Sequence, residues 1–389
     1  MPEHDEFLRL EPYELKVFMP GSAPGAAGFR ARVQLSARDV LESEIAKHLG
    51  EVPCYVLFSG GRDSSALLAV TTRIARQHGV EDPIPVTSRH RRAPRSDESM
   101  WQSLVISHLN LRKHIIFEFD EEQSLLAPDA QASLRRHGLL WPPDAHVQSA
   151  YYARLRPGIV IAGQGGDLVL SGRRVTPLST AIRGHHPRRA VRALPAALVP
   201  RERRAARQMV ASGADELAPW LTSAGRQLTA DLMAEAPREP LSWNRSVRGL
   251  LRSRSVQLGV RNLPAMVRAH GHVAVMPFES EAFVAALAQE GGFWGLGDRT
   301  AIMRYLFRDL LPDKVLSRTT KAAFNEVRWG EREHEFAQRW TGGGVDETYV
   351  DPARLQQSWL SNEMLPLAAA PLHAAWLLQN GLSLVPDGA

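Results

Sequence analysis

The chain is almost free of cysteine: among its 389 residues only position 54 carries one. A single thiol excludes an internal disulfide and any cysteine-rich metal cluster. Cys54 stands in the apolar run Cys54-Tyr55-Val56-Leu57-Phe58, the setting of a buried structural thiol rather than a nucleophile. Long hydrophobic runs are also missing; none approaches the roughly 20 residues that span a bilayer. The N-terminus, Met1-Pro2-Glu3-His4-Asp5-Glu6, is acidic and has no apolar signal core. Together these absences lead us to expect a cytoplasmic protein with no membrane partner. Net charge is low, a formal +5. The arginines are nonetheless clustered, with Arg183, Arg188, Arg189, Arg192, Arg201, Arg203, Arg204 and Arg207 in one stretch. Such a run can contact an acidic peptide or nucleic acid. We read it instead as a solvated helical face.

The composition, 44% hydrophobic and 23% charged, is that of a globular protein long enough for one large domain or two ordinary ones. Residues 1–48 contain two candidate strands, Leu15–Met19 and Phe29–Leu35, around a Pro-Gly loop. From residue 54 four short apolar runs follow: Cys54–Phe58, Ile84–Thr87, Ile115–Phe119 and Ile159–Ala162. Apolar without alternation, they suit strands buried on both faces of a parallel sheet. Ser64 to His78, closed by Gly79, and Asp97 to Leu109, capped by Asp97 or Ser96, read as the first crossover helices. This alternation predicts a doubly wound α/β domain that binds ligands at the carboxyl ends of its strands. Residues 175–245, rich in Arg, Ala and Pro, read as a helical insertion or lid within a unit spanning 49–389. Helices continue to the end, including Arg299–Leu311 and Pro366–Asn380, so the C-terminal half is largely helical.

Between the first run and the first helix lies Ser59-Gly60-Gly61-Arg62-Asp63-Ser64-Ser65. Two glycines let backbone approach an anion, and successive N–H groups there form an anion-binding nest. The helix behind adds its positive end and the hydroxyls of Ser64 and Ser65. Asp63 would repel phosphate without an intervening divalent cation, so its presence calls for Mg²⁺. The loop lacks the lysine of the common nucleotide loop and is no dinucleotide fingerprint.

The pattern SGGxDS resembles the PP-loop of enzymes that cleave ATP between the α- and β-phosphates. Ile161-Ala162-Gly163-Gln164-Gly165-Gly166-Asp167 resembles the second ATP-site motif of the asparagine synthetase family, commonly Gly-Glu-Gly-x-Asp. Met276-Pro277-Phe278 followed by Phe283-Val284 looks like that family's Val-Pro-Phe-Leu-Asp region. The segment from Leu310-Leu311-Pro312 through Val315-Leu316 to Arg318, Lys321 and Phe324 resembles its C-terminal signature. In motif content and order the chain is similar to the synthetase domain of the asparagine synthetase family, a doubly wound parallel sheet of PP-loop type.

That resemblance implies ATP with Mg²⁺, a substrate carboxylate activated as an acyl-adenylate, and an amine that displaces AMP. Carried over, Ser59, Gly60, Gly61, Asp63, Ser64 and Ser65 would hold pyrophosphate, and Asp63 and Asp167 would be the metal ligands. Val86 and Gly163 match positions that contact adenosine through their backbones. Lys321 matches the lysine that neutralises the α-phosphate, with Arg318 as its assistant. Gln164 falls in the acceptor pocket, and His146 precedes the fourth strand where that pocket forms; for His146 an ordinary core histidine is the alternative. His270 and His272 flank Gly271 near another pocket segment, with an ordinary surface or core histidine as the alternative for each.

The departures bear on the amine. Gln164 stands where the family usually has glutamate, and an amide is no general base near neutral pH. Pro264 and Leu168 replace two further acidic positions. Only about 50 residues precede the loop, too few for the family's glutaminase domain. The expected partners are therefore a carboxylate-bearing small molecule or peptide and a substrate-borne amine. A precursor peptide closed to a macrolactam, as in lasso-peptide cyclases, or ammonia from a separate glutaminase both fit, in specialised-metabolite or peptide biosynthesis. Two other readings stay open: a PP-loop enzyme that modifies tRNA, against which the lysine signature argues, and a non-catalytic scaffold, against which the retained Asp63, Asp167 and Lys321 argue.

Overall fold

The computed structural model describes residues 7–21, 34–50, 52–198, 217–234, 239–320, 322, 324–361 and 365–386. The four apolar runs form parallel strands β1 (Cys54–Leu57), β2 (Ile84–His90), β3 (Ile115–Phe119) and β4 (Ile159–Ile161). A fifth, β5 (Val273–Val275), completes a sheet of order β3-β2-β1-β4-β5, parallel throughout. β2 runs on to His90, which pairs with Phe119, because Ser88 and Arg89 extend the strand past its apolar stretch. β5 escaped the sequence pattern. It is an edge strand of three residues, opened by Gly271 at φ +79° and with Val273 46% exposed.

The helices that position the site are α1 (Ala37–Ala46), α2 (Arg62–Gln77), α3 (Ser99–Leu109), α4 (Asp144–Tyr152), α5 (Arg254–Ala269), α6 (Glu281–Gly291), α7 (Arg299–Phe307) and α8 (Ala369–Gln379). Alternation along β1 serves two cores. Cys54, Val56 and Phe58 pack with α1, α2, α3 and α6 on one face. Tyr55 joins Val86 and Val160 against Ala145 and Tyr152 of α4 and Leu263 and Met266 of α5 on the other. In α2, Leu67, Leu68 and Val70 have no exposed surface, and burying each stabilises by about 1.5–3 kcal/mol. α2 begins two residues before the predicted start because Gly61 takes the cap position, which brings Asp63 into the first turn. α3 begins at Ser99 with Glu98 as its cap residue, while the Asp97 carboxylate accepts from the Ser99 N–H at 2.9 Å.

A third core lies under the C-terminal helices, where Trp220, Trp340 and Trp359 meet a nearly fully buried α8. The predicted strand Leu15–Met19 belongs here and is not a strand. Pro12–Leu15 makes one helical turn, Phe18 turns the chain at φ +54°, and Val17, Phe18 and Met19 are buried in this core. The run is apolar because it is buried, not because it is extended. Of Phe29–Leu35, residues 29–33 lie outside the described residues and Leu35 is exposed. Within 175–245 the structure shows helices over Thr176–Arg183, Pro187–Leu198, Ser223–Ala234 and Trp243–Gly249. Arg188, Arg189 and Arg192 are exposed there, and Arg201, Arg203, Arg204 and Arg207 lie outside the described residues. The predicted helix Arg299–Leu311 stops at Phe307. Among the described residues no helix is long and apolar enough to cross a membrane.

Candidate active site

The C-terminal ends of β1 and β4, neighbours at the centre of the sheet, open into one cavity of about 380 Å³. That size suits a small organic ligand. β1 delivers the loop 59–65. Gly60 adopts φ +84°, and a Cβ there would meet Gln102 Cγ at 3.1 Å and the Glu98 carbonyl at 3.4 Å; only glycine turns the chain this tightly against α3. Ser59 and Ser64 close the loop on itself, their hydroxyls 3.1 Å apart, with Ser64 Oγ donating to the Gly61 carbonyl at 3.2 Å.

β4 delivers the second loop, and its double glycine has a steric reason. Gly165 sits at φ +78°, where a Cβ would meet Glu279 Cγ at 2.5 Å. A Cβ on Gly166 would lie 2.6 Å from Asp63 Cγ. The missing side chains thus allow the two strand-end loops to touch and bring Asp63 and Asp167 to one place.

A single guanidinium bridges these carboxylates. Arg299 Nη2 lies 2.7 and 2.6 Å from the two Asp63 oxygens and 2.8 Å from Asp167 Oδ1. Burial pushes the Asp63 carboxyl up from its ordinary value, Arg299 pulls it down, and Asp167 adds to the rise. The pair meets the demands of Mg²⁺, which takes one or two carboxylates and completes its shell with substrate phosphates and water. It does not resemble a dedicated protein cage; among the described residues no group of three or more acidic, His or Cys side chains gathers around a common point.

Of the sequence-predicted residues, Ser59, Gly61, Asp63, Ser64, Gly163, Gln164, Asp167 and Arg318 line the cavity. Gly60 and Ser65 do not; Ser65 is fully buried with its hydroxyl unpartnered. Val86 lines a smaller adjoining recess of about 200 Å³, which shares Leu57, Ser59, Gln148 and Phe324 with the main cavity. Lys321 lies outside the described residues, while Thr320 and Ala322 on either side of it line the cavity. Arg318 is buried and ion-paired with Glu98, so its charge is already compensated inside the protein.

The structure moves His146 out of the acceptor pocket. It is fully buried, its Nδ1 hydrogen-bonded to Ser133 Oγ at 2.9 Å and its ring edge-on to His373 at 5.3 Å. Burial first and His373 second hold its pKa well below the usual imidazole value. His272 is likewise buried, against the Tyr152 carbonyl at 3.0 Å.

Three residues escaped sequence reasoning. Arg299 carried a signal: a cation in the first turn of a helix opposes the macrodipole and requires a partner. Glu98 was hidden beside the expected cap. Glu279 follows Met276-Pro277-Phe278; it is 9% exposed, its Oε2 has no hydrogen-bond partner, and burial raises its pKa to about 7.

Comparison with curated proteins gives no match. Comparison with protein families matches asparagine synthase over residues 36–378, from α1 to the last turns of α8. Members of that family are ATP-dependent ligases that form amide bonds, on a PP-loop sheet of the kind seen here. With the match covering nearly the whole sheet-and-helix framework and both strand-end loops, the chain belongs to the asparagine synthase family.

Proposed function

We propose that this protein activates a substrate carboxylate as an acyl-adenylate and transfers the acyl group to an amine. The carboxylate oxygen forms a bond to the α-phosphorus of ATP as the α–β bridging bond breaks and pyrophosphate leaves. The amine nitrogen then bonds to the acyl carbon, AMP departs with the carboxylate oxygen, and the amine loses one proton. The observation that carries this reading is the meeting of Asp63 and Asp167 at the mouth of a glycine-turned loop that leads into a helix N-terminus. Mg²⁺ held by these two carboxylates would neutralise the pyrophosphate. The loop backbone and Ser64 would orient it, and Lys321 would face charge developing at the α-phosphate, where a fixed cation in a dry site is most effective.

Gln164 stands exposed in the cavity wall and offers an amide where a base would otherwise stand. This favours an amine that arrives already nucleophilic, carried by a substrate, over ammonium that must be deprotonated. A role in making a specialised metabolite or a cyclised peptide follows from that preference.

The test incubates the protein with α-labelled ATP, Mg²⁺ and a panel of carboxylates that includes aspartate, glutamate and peptides bearing those side chains. Carboxylate-dependent AMP and pyrophosphate support the proposal; ADP and phosphate would refute it. Lys321→Ala should lower that turnover by on the order of 10²–10³ while changing ATP affinity less than about threefold.

A further inference from the structure

Arg318 and Glu98 touch the cavity wall, yet are only 8% and 7% exposed. Both Arg318 terminal nitrogens donate to Glu98, Nη2 to Oε1 at 2.5 Å and Nη1 to Oε2. Nη1 donates also to the Gly60 carbonyl at 3.1 Å, and Nε to Thr320 Oγ1 at 2.9 Å. The guanidinium carbon stands 4.6 Å from the Trp101 ring centre. One buried fork therefore joins three segments distant in sequence: the N-cap of α3, the glycine turn of the anion loop, and residues 318–320.

Four of the five guanidinium N–H groups are committed to protein acceptors in this way, and moving the fork onto a phosphate would leave the buried Glu98 carboxylate unpaired, at a cost of several kcal/mol. Glu98 makes the guanidinium affordable inside the protein, and the guanidinium in turn fixes the Gly60 carbonyl. Fixing that carbonyl also fixes the Gly61 N–H of the same planar peptide, which donates to Ser59 Oγ at 3.3 Å and so ties the fork to the loop.

We infer that Glu98 is a positioning residue of the nucleotide site. With Arg318 it forms a clamp that sets the anion loop against residues 318–320, and Arg318 acts as a strut, not as a phosphate ligand. The inference rests on the ATP-dependent reading above.

The test compares wild type with Glu98→Gln, Arg318→Gln, the double variant and Arg318→Lys. Three quantities are measured: affinity for α,β-methylene-ATP with Mg²⁺ by calorimetry, hydrogen exchange in peptides spanning 59–66 and 313–328, and melting temperature. Each Gln single variant should bind about tenfold or more weakly and exchange faster in both peptides. The double variant, with no unpaired buried charge, should regain most of the melting temperature but not the affinity. Arg318→Lys keeps the charge pair but loses the fork; it should fold as wild type and bind several times more weakly. Affinity that simply follows melting temperature across the set would reduce the pair to a stability element and overturn the inference. Equal binding by all variants would overturn it as well. Failure of the wild type to bind would overturn the nucleotide reading together with the clamp.

Discussion

The two halves of this site are built differently. The acidic half, Asp63 and Asp167, is presented by loops that leave adjacent strand ends, and each loop carries its own geometry in its glycines. The basic half arrives from the helical C-terminal region. Arg299 meets Asp63 across 236 positions of sequence, and Arg318 meets Glu98 across 220. Local chemistry dictates the first half: Gly60 and Gly165 hold φ +84° and +78°, and a Cβ on Gly60, Gly165 or Gly166 would crowd a neighbour. The second half depends on how α7 and residues 318–320 pack over the strand ends. The acidic side of the site is shaped by its own glycines, whereas the basic side is placed by packing.

If so, the largest losses should come from the strand-end loops. Asp63→Asn removes the carboxylate at the point where the loops converge and leaves Arg299 paired with the Asp167 carboxylate, the Gly166 carbonyl and Ser171 Oγ. Carboxylate-dependent AMP formation should fall by about 10³ or more, and turnover within tenfold of wild type would break the comparison. Next comes Gly166→Ala. Its Cβ would stand 2.6 Å from Asp63 Cγ, so the two loops must separate. Overpacking of this kind costs about 1–3 kcal/mol, and the melting temperature should drop along with nucleotide affinity. An unchanged affinity would show that the contact between the loops is dispensable.

The basic half should yield smaller and more selective effects. Arg299 holds both carboxylates where a divalent ion would sit, so guanidinium and ion compete. In Arg299→Gln the nucleotide-free protein should bind Mn²⁺ about tenfold more tightly, the equivalent of one charge-assisted contact. Electron paramagnetic resonance titration reads this directly, and weaker Mn²⁺ binding would mean that Arg299 supports the metal site.

The smallest effect concerns Glu279, packed behind Gly165. Burial raises its carboxyl from the usual 4.5 to about 7. A raised folded pKa means that its contribution is complete below about pH 4.5 and is lost as pH climbs through 7. Glu279→Gln should therefore leave the melting temperature unchanged at pH 4 and raise it by several degrees at pH 8. A stabilisation equal at both pH values would exclude this ionisation as the cause.

How much of this was readable beforehand follows the same division. The strands β1 and β4 were legible because a strand covered on both faces must be apolar along its length, as Cys54–Leu57 and Ile159–Ile161 are; β3 departs from that expectation, an edge strand with Ile116 and Glu118 exposed. The loops were legible because Gly60, Gly61, Gly165 and Gly166 mark places where backbone and side chains crowd. Val17 to Met19 misled, since burial under a helical layer imposes the same apolarity as burial in a sheet. His146, read either as a pocket residue or as an ordinary core histidine, is the latter, sealed against His373 from a helix more than 200 residues away. The partners of Arg299 and Arg318 were beyond sequence reading, because an arginine's partner is set by packing and not by its neighbours in the chain.

The central claim, that a carboxylate attacks the α-phosphorus of ATP, has a direct test in isotope transfer. With the carboxylate that supports the fastest turnover, labelled with ¹⁸O at both oxygens, the account predicts one ¹⁸O in each AMP and none in pyrophosphate. Label recovered in inorganic phosphate, with AMP unlabelled, would place the attack on the γ-phosphorus and contradict it.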